Sequence, residues 1–115
     1  MTSSAEVSVE RRDDAVVARL SREVDMTNSA LVGEELLKAV SNDAATLVVD
    51  LSAARYLDSA AIELLFDLSR RLDRRRQRLR LVLPPDSPLK RVLLLTEIET
   101  VAPLHETLES ALQPG

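Results

Sequence analysis

Two aliphatic runs, "TLVVDL" (46–51) and "LRLVLP" (79–84), constrain this chain more than any other feature. Each reads as a strand covered on both faces, the pattern of a parallel sheet held between layers. Parallel strands need a crossover, and the segment between these runs supplies one. From about Ala60 to Arg75 its apolar residues recur at helical spacing, with Ala61, Leu64, Leu65, Leu68 and Leu72 on one broad face. Glu63, Asp67, Arg70 and Arg74 fall opposite.

The flanking segments extend the alternation. "VSVE" (7–10) and "AVVARL" (15–20) are β-rich and separated by "RRDD", which predicts an antiparallel hairpin. "SREVDMTNS" (21–29) reads as a polar loop whose Thr27 and Asn28 suit a helix start, and "SALVGEELLKAV" (29–40) as the helix. After "PP" (84–85), Ser87 is placed to cap a third helix, with Pro88 in its first turn. "TVAP" (100–103) suggests a short edge strand and "HETLESAL" (105–112) a last helix. The expected architecture is α/β: one domain over residues 1–115, with its core at 7–112. Its sheet is mixed but mostly parallel, with about five strands and about four helices.

Composition removes several functions. The chain has no cysteine, so disulfides, thiolate nucleophiles and cysteine-held metals are excluded. Its two glycines are Gly33, inside a helix, and Gly115, so no glycine-rich phosphate loop exists. His105 is the single histidine and lacks partners for acid–base or zinc chemistry. These absences point to a protein that is not an enzyme and needs no cofactor or metal. The start carries no signal-peptide pattern, and no apolar run approaches the roughly 20 residues that span a bilayer. A cytoplasmic protein without membrane insertion is expected. Residues 70–80 hold seven arginines against one aspartate, within a net charge of −4. Without a nucleic-acid motif beside it, the cluster reads as a solvated helix end favoured by the helix dipole, and direct nucleic-acid binding is not expected.

The serine in "YLDSAAIELL" (56–65) stands where the strand region gives way to the helix. A serine there can cap the helix, or it can carry function. The residues around it resemble a known family. "REVDMTNSALVGEELL", "LVVDLSAARYLDSAAIELL" and "PDSPLKRVLLLTEIETV" are similar, in order and spacing, to the STAS domain of bacterial anti-sigma factor antagonists. The most specific parts are the strand followed by Leu57-Asp58-Ser59, and Glu23-Val24-Asp25 followed by Thr27-Asn28.

The resemblance implies that Ser59 is phosphorylated by an anti-sigma factor that is itself a serine kinase, and that a phosphatase reverses this. The unphosphorylated form would bind the anti-sigma factor and release a sigma factor for transcription. Asp25, Thr27, Asn28 and Asp58 would share the partner-binding surface. Ile62 and Phe66 follow Ser59 at i+3 and i+7, and a docking patch on that flank is expected. Alternatives are a soluble STAS subunit of a membrane transport complex, or a stress-signalling scaffold. The chain departs from the family at three positions where glycine is usual: Arg22, Ala61 and Glu97. Ala61 should lie inside the helix, where glycine is not required.

Overall fold

The computed structural model describes residues 5–114. Strands β1 (Glu6–Arg12) and β2 (Ala15–Val24) form the expected antiparallel hairpin, with Arg12 opposite Ala15. Helix α1 (Ser29–Ala39) leads to β3 (Thr46–Leu57), and α2 (Ser59–Arg74) leads to β4 (Arg78–Val82). Helix α3 (Lys90–Leu95) and a 3-10 turn at Ile98–Thr100 lead to β5 (Leu104–His105), after which α4 (Leu108–Ala111) follows.

The strands lie side by side in chain order, and every pairing after the hairpin is parallel. Right-handed crossovers that all advance in one direction stack their helices on one face of the sheet. That face holds the main core. Leu47, Val49 and Leu51 of β3 and Leu79 and Leu81 of β4 meet Leu36, Leu65, Leu68, Leu72 and Leu93 from the helices. The other face is thinner: Val17, Val48 and Val82 are covered by Leu108, Ala111 and Leu112. The two aliphatic runs pair in parallel as expected, with Leu47 opposite Leu79 and Val49 opposite Leu81.

Several boundaries differ from the sequence reading. β2 and β3 run on to Val24 and Leu57 through segments that read as polar loops. Each segment supplies the other's backbone partners, with Arg22 opposite Ala54 and Val24 opposite Leu57, so pairing overrides their polar side chains. Register shifts near Arg19–Ser21 and Arg22–Glu23 break the simple alternation, which hid the strand from a period-two reading. The edge strand lies at Leu104–His105 instead of 100–103, because Ile98–Thr100 winds into a 3-10 turn and Pro103 cannot donate to a ladder. The last helix is correspondingly short, starting at Leu108 with Thr107 Oγ1 accepting from the Ser110 amide at 3.1 Å. Ser87 does bond the chain ahead of it, accepting from the Leu89 amide at 3.1 Å, but α3 itself begins at Lys90.

Helix α2 positions the site. Ala61, Ile62, Leu65, Leu68 and Leu72 are buried along it, and each fully buried leucine contributes about 1.5–3 kcal/mol. Leu64 is half-buried and leans over α1, where a Cβ on Gly33 would come within 2.7 Å of Leu64 Cδ1. Gly33 weakens α1 locally but lets the two helices approach.

Candidate functional site: the start of α2 and the loop after β2

The chain leaves β3 at Leu57 and turns directly into α2. The cap of that helix is Asp58, not Ser59. Asp58 Oδ1 accepts from the Ala61 amide at 3.0 Å, the geometry that satisfies one of the free N–H groups of a helix start. Asp58 Oδ2 accepts from the Met26 amide, also at 3.0 Å, and so ties the loop after β2 to the helix. One carboxylate thus holds both halves of the site.

Ser59 is the first residue of α2 and is exposed. Among the described residues its hydroxyl forms no hydrogen bond of its own. With capping done by Asp58, no structural duty falls on that hydroxyl. It stands at the positive end of a 16-residue helix, where unsatisfied amides and the helix dipole favour an added anion.

The loop after β2 is built from its own polar residues. Asp25 Oδ1 accepts from the Thr27 amide at 2.9 Å and from the Thr27 hydroxyl at 2.5 Å, a local turn of the Asx type. The Thr27 hydroxyl, and after it the Thr27 amide, hold the Asp25 carboxyl below its usual range. Asn28 occupies the cap position of α1, yet its side chain makes no capping hydrogen bond. It is buried and turned back, with Oδ1 accepting from the Asp25 amide at 3.0 Å and Nδ2 donating to Glu23 O at 3.1 Å. Asn28 therefore fixes the loop that carries Asp25, and the expectation that Thr27 and Asn28 cap α1 is corrected.

The structure thus links Asp25, Thr27, Asn28 and, through the Met26 amide, Asp58 by hydrogen bonds, and sets Ser59 next to that unit in the chain. Ile62 and Phe66 fare differently. Ile62 is 8% exposed and belongs to the main core, and Phe66 is half-buried against it. Of that flank only Phe66 keeps appreciable surface. Sequence reasoning missed Met26, which is 78% exposed and whose amide is held by Asp58. The signal was an isolated methionine inside an otherwise polar loop. It also missed Tyr56, half exposed at the end of β3.

Two of the usual glycine positions retain a backbone that glycine would favour. Arg22 has φ 68° and Glu97 φ 60°, both in the left-handed region. Ala61 lies within α2, as expected. Arg22 sits at the bulge that leads into the Asp25 loop, and its guanidinium reaches Glu6 on β1 at 3.5 Å.

A family model for the STAS domain matches residues 6–111. This chain belongs to the STAS domain family. No match is found among curated proteins. Among solved structures, this STAS domain is similar to an anti-sigma factor antagonist from Mycobacterium paratuberculosis, with 28% identity and a TM-score of 0.83 over 95% of this chain and 92% of that one. It shares its fold with a putative anti-sigma factor antagonist from Thermotoga maritima, at 19% identity and a TM-score of 0.80 over 91% of this chain and 90% of that one. It also shares it with the anti-sigma factor antagonist SpoIIAA in its unphosphorylated form, at 18% identity and a TM-score of 0.68 over 92% of this chain and 93% of that one. The phosphorylated form of SpoIIAA, from Bacillus, gives 21% identity and a TM-score of 0.67 over 92% of this chain and 96% of that one. Among the described residues no helix of this STAS domain is long and apolar enough to cross a membrane.

Proposed function

We propose that this STAS domain is an anti-sigma factor antagonist that works by partner switching in the cytoplasm. Its unphosphorylated form binds an anti-sigma factor with serine kinase activity and so frees a sigma factor. Phosphorylation of Ser59 ends that binding, and a phosphatase restores it. The domain is a kinase substrate and a binding protein, not an enzyme.

One observation carries the reading: Ser59 is exposed at the first position of α2 while Asp58 performs the capping. The hydroxyl is open to a kinase without any loss to the fold. A phosphate there adds about −1.5 to −2 charges, which the helix start accepts. The cost falls on the interface. A dianion beside Asp58 and the Asp25 loop, facing a partner that had docked a neutral hydroxyl, is repelled and expensive to desolvate. A loss of about 2–4 kcal/mol weakens binding roughly 30- to 1000-fold. Asp25, Thr27, Asp58, Met26 and the exposed part of Phe66 form the contact surface in this reading, and the buried Asn28 holds the Asp25 loop in place behind it.

The test compares the affinities of Ser59→Ala, Ser59→Asp and phosphorylated protein for the purified anti-sigma factor. Ser59→Ala should bind and resist phosphorylation, while Ser59→Asp should stay folded and bind weakly. If phosphorylation at Ser59, verified by intact mass, leaves the affinity unchanged, the partner-switch reading is wrong.

A further inference from the structure

The far end of β4 carries an incomplete sheet edge. The Arg78 amide donates to Ala45 O at 3.0 Å, toward β3, while the Leu81 and Leu83 amides donate to Pro103 O and His105 O at 2.9 and 2.8 Å. Backbone groups alternate sides along a strand, so the N–H and C=O of Leu79 face the β5 side as well. Continuing the ladder by one step would require Val101 O as acceptor and the residue 103 amide as donor. Neither bond is made among the described residues: the Leu79 amide does not donate to Val101 O, which accepts from the Ser69 hydroxyl at 3.0 Å, and Pro103 has no N–H. Leu79 is left without a ladder partner on that side among the described residues, and β4 pairs with β5 through Leu81 and Val82.

A groove of about 560 Å³ runs along this edge, between Ser69 and Asp73 of α2 on one wall and Ser110 and Gln113 on the other. Arg78 and Arg80 line it. Arg80 is 9% exposed, and its Nη1 donates to Ala111 O and Gln113 O at 2.8 and 2.7 Å. Among the described residues neither arginine forms an ion pair. A buried guanidinium satisfied by carbonyls alone still lacks a countercharge. Burial, and then the Arg80 charge, push His105 toward its neutral form, so the lining sets two arginines against the one carboxylate of Asp73. The groove is positively charged, and Leu79, 3% exposed in its lining, has one backbone donor and one acceptor without a partner there among the described residues.

We propose that this groove binds an extended acidic peptide from another protein, which adds to β4 beside Leu79 and sets a carboxylate against Arg78 and Arg80. Strand addition uses the two free backbone groups, and the arginines select acidic side chains. This site lies at the end of β4 that pairs with the first residues of β3, whereas Ser59 follows the last. Peptide binding here does not depend on the state of Ser59.

The test is an NMR titration of the labelled full chain with acetyl-Val-Glu-Val-Glu-amide. We expect saturable shifts centred on the amides of Leu79, Arg80 and His105, with the Leu79 amide moving downfield. Exchanging both glutamates for glutamine, or introducing Arg78→Glu in the protein, should each weaken binding roughly tenfold or more. Arg78 is exposed and makes no side-chain hydrogen bond among the described residues, so that variant should keep the wild-type spectrum elsewhere. Three results would overturn the proposal: no saturable shifts at Leu79, binding indifferent to the Glu-to-Gln exchange, or acetyl-Glu-amide binding as tightly as the tetrapeptide. The last would mean simple anion capture without strand addition.

Discussion

The two ends of α2 are opposite in charge and opposite in construction. At its start, Asp58 makes two directed hydrogen bonds, one to the helix and one to the neighbouring loop. At its end, Arg74 and Arg76 are exposed and form no ion pair among the described residues, and Arg75 donates to Val40 O at 3.0 Å and Asn42 Oδ1 at 3.1 Å. The helix dipole favours both arrangements, since it prefers anions at the start and cations at the end. At the start the charged group bonds the helix's own amide, and at the end Arg75 bonds away from the helix. A carboxylate aligned on the Ala61 and Met26 amides fixes the surroundings of Ser59, whereas of Arg74, Arg75 and Arg76 only Arg75 makes directed side-chain hydrogen bonds among the described residues. The difference teaches that a charge cluster conspicuous in sequence can matter less to the fold than a single short carboxylate.

This contrast can be broken by mutation. Asp58→Ala removes the cap and the bond to Met26 together, and should cost about 1–2 kcal/mol in a denaturant titration. Asp58→Asn, which can still accept at Oδ1, should recover most of that loss. Arg22→Gly relieves a left-handed backbone beside the Asp25 loop and should stabilise by about 1 kcal/mol, less the entropy glycine adds to the unfolded chain. Arg74→Ala, at the opposite end, should change stability by less than about 0.5 kcal/mol. If Arg74→Ala proves as costly as Asp58→Ala, bulk charge and not geometry holds the helix ends.

A smaller effect sharpens the comparison through pH. The Thr27 hydroxyl holds the Asp25 carboxyl below its usual value in the folded protein. A depressed carboxyl contributes stability that is fully present above its unfolded value, near 3.9. That contribution is lost as pH falls through the lower folded value. Thr27→Val should bring the Asp25 titration, followed by NMR, back toward the ordinary range. An Asp25 titration unmoved by Thr27→Val would show that the hydroxyl does not hold the carboxylate.

The layered α/β architecture was legible in the residues because hydrophobic periodicity reports burial directly. Leu47, Val49 and Leu81 had to lie in a covered sheet, and Leu65, Leu68 and Leu72 had to face it. The polar ends of β2 and β3 were not legible, since their pairing satisfies backbone groups that side chains do not announce. Ser59 stood out as a candidate from its setting and from the family resemblance. Its freedom from capping did not, because Asp58 and Ser59 are both good helix-start residues and neighbouring atoms decide between them.

By itself, the sequence determined that the two aliphatic runs and the leucine face of α2 are buried, the order of strands and helices, and the presence of an acidic serine-bearing helix start. Those properties follow from local pattern and from the hydrophobic effect, which acts on each residue where it stands. Only the tertiary structure decided that Ile62 enters the core while Met26 stays exposed, and that Asp58 reaches across 32 positions to the Met26 amide. It alone decided that the segment leading through Pro103 into β5 leaves Leu79 without a ladder partner on that side among the described residues. These are relations between segments distant in the chain, and a hydrogen bond or a steric contact is settled by separations of a few ångströms that no local pattern encodes.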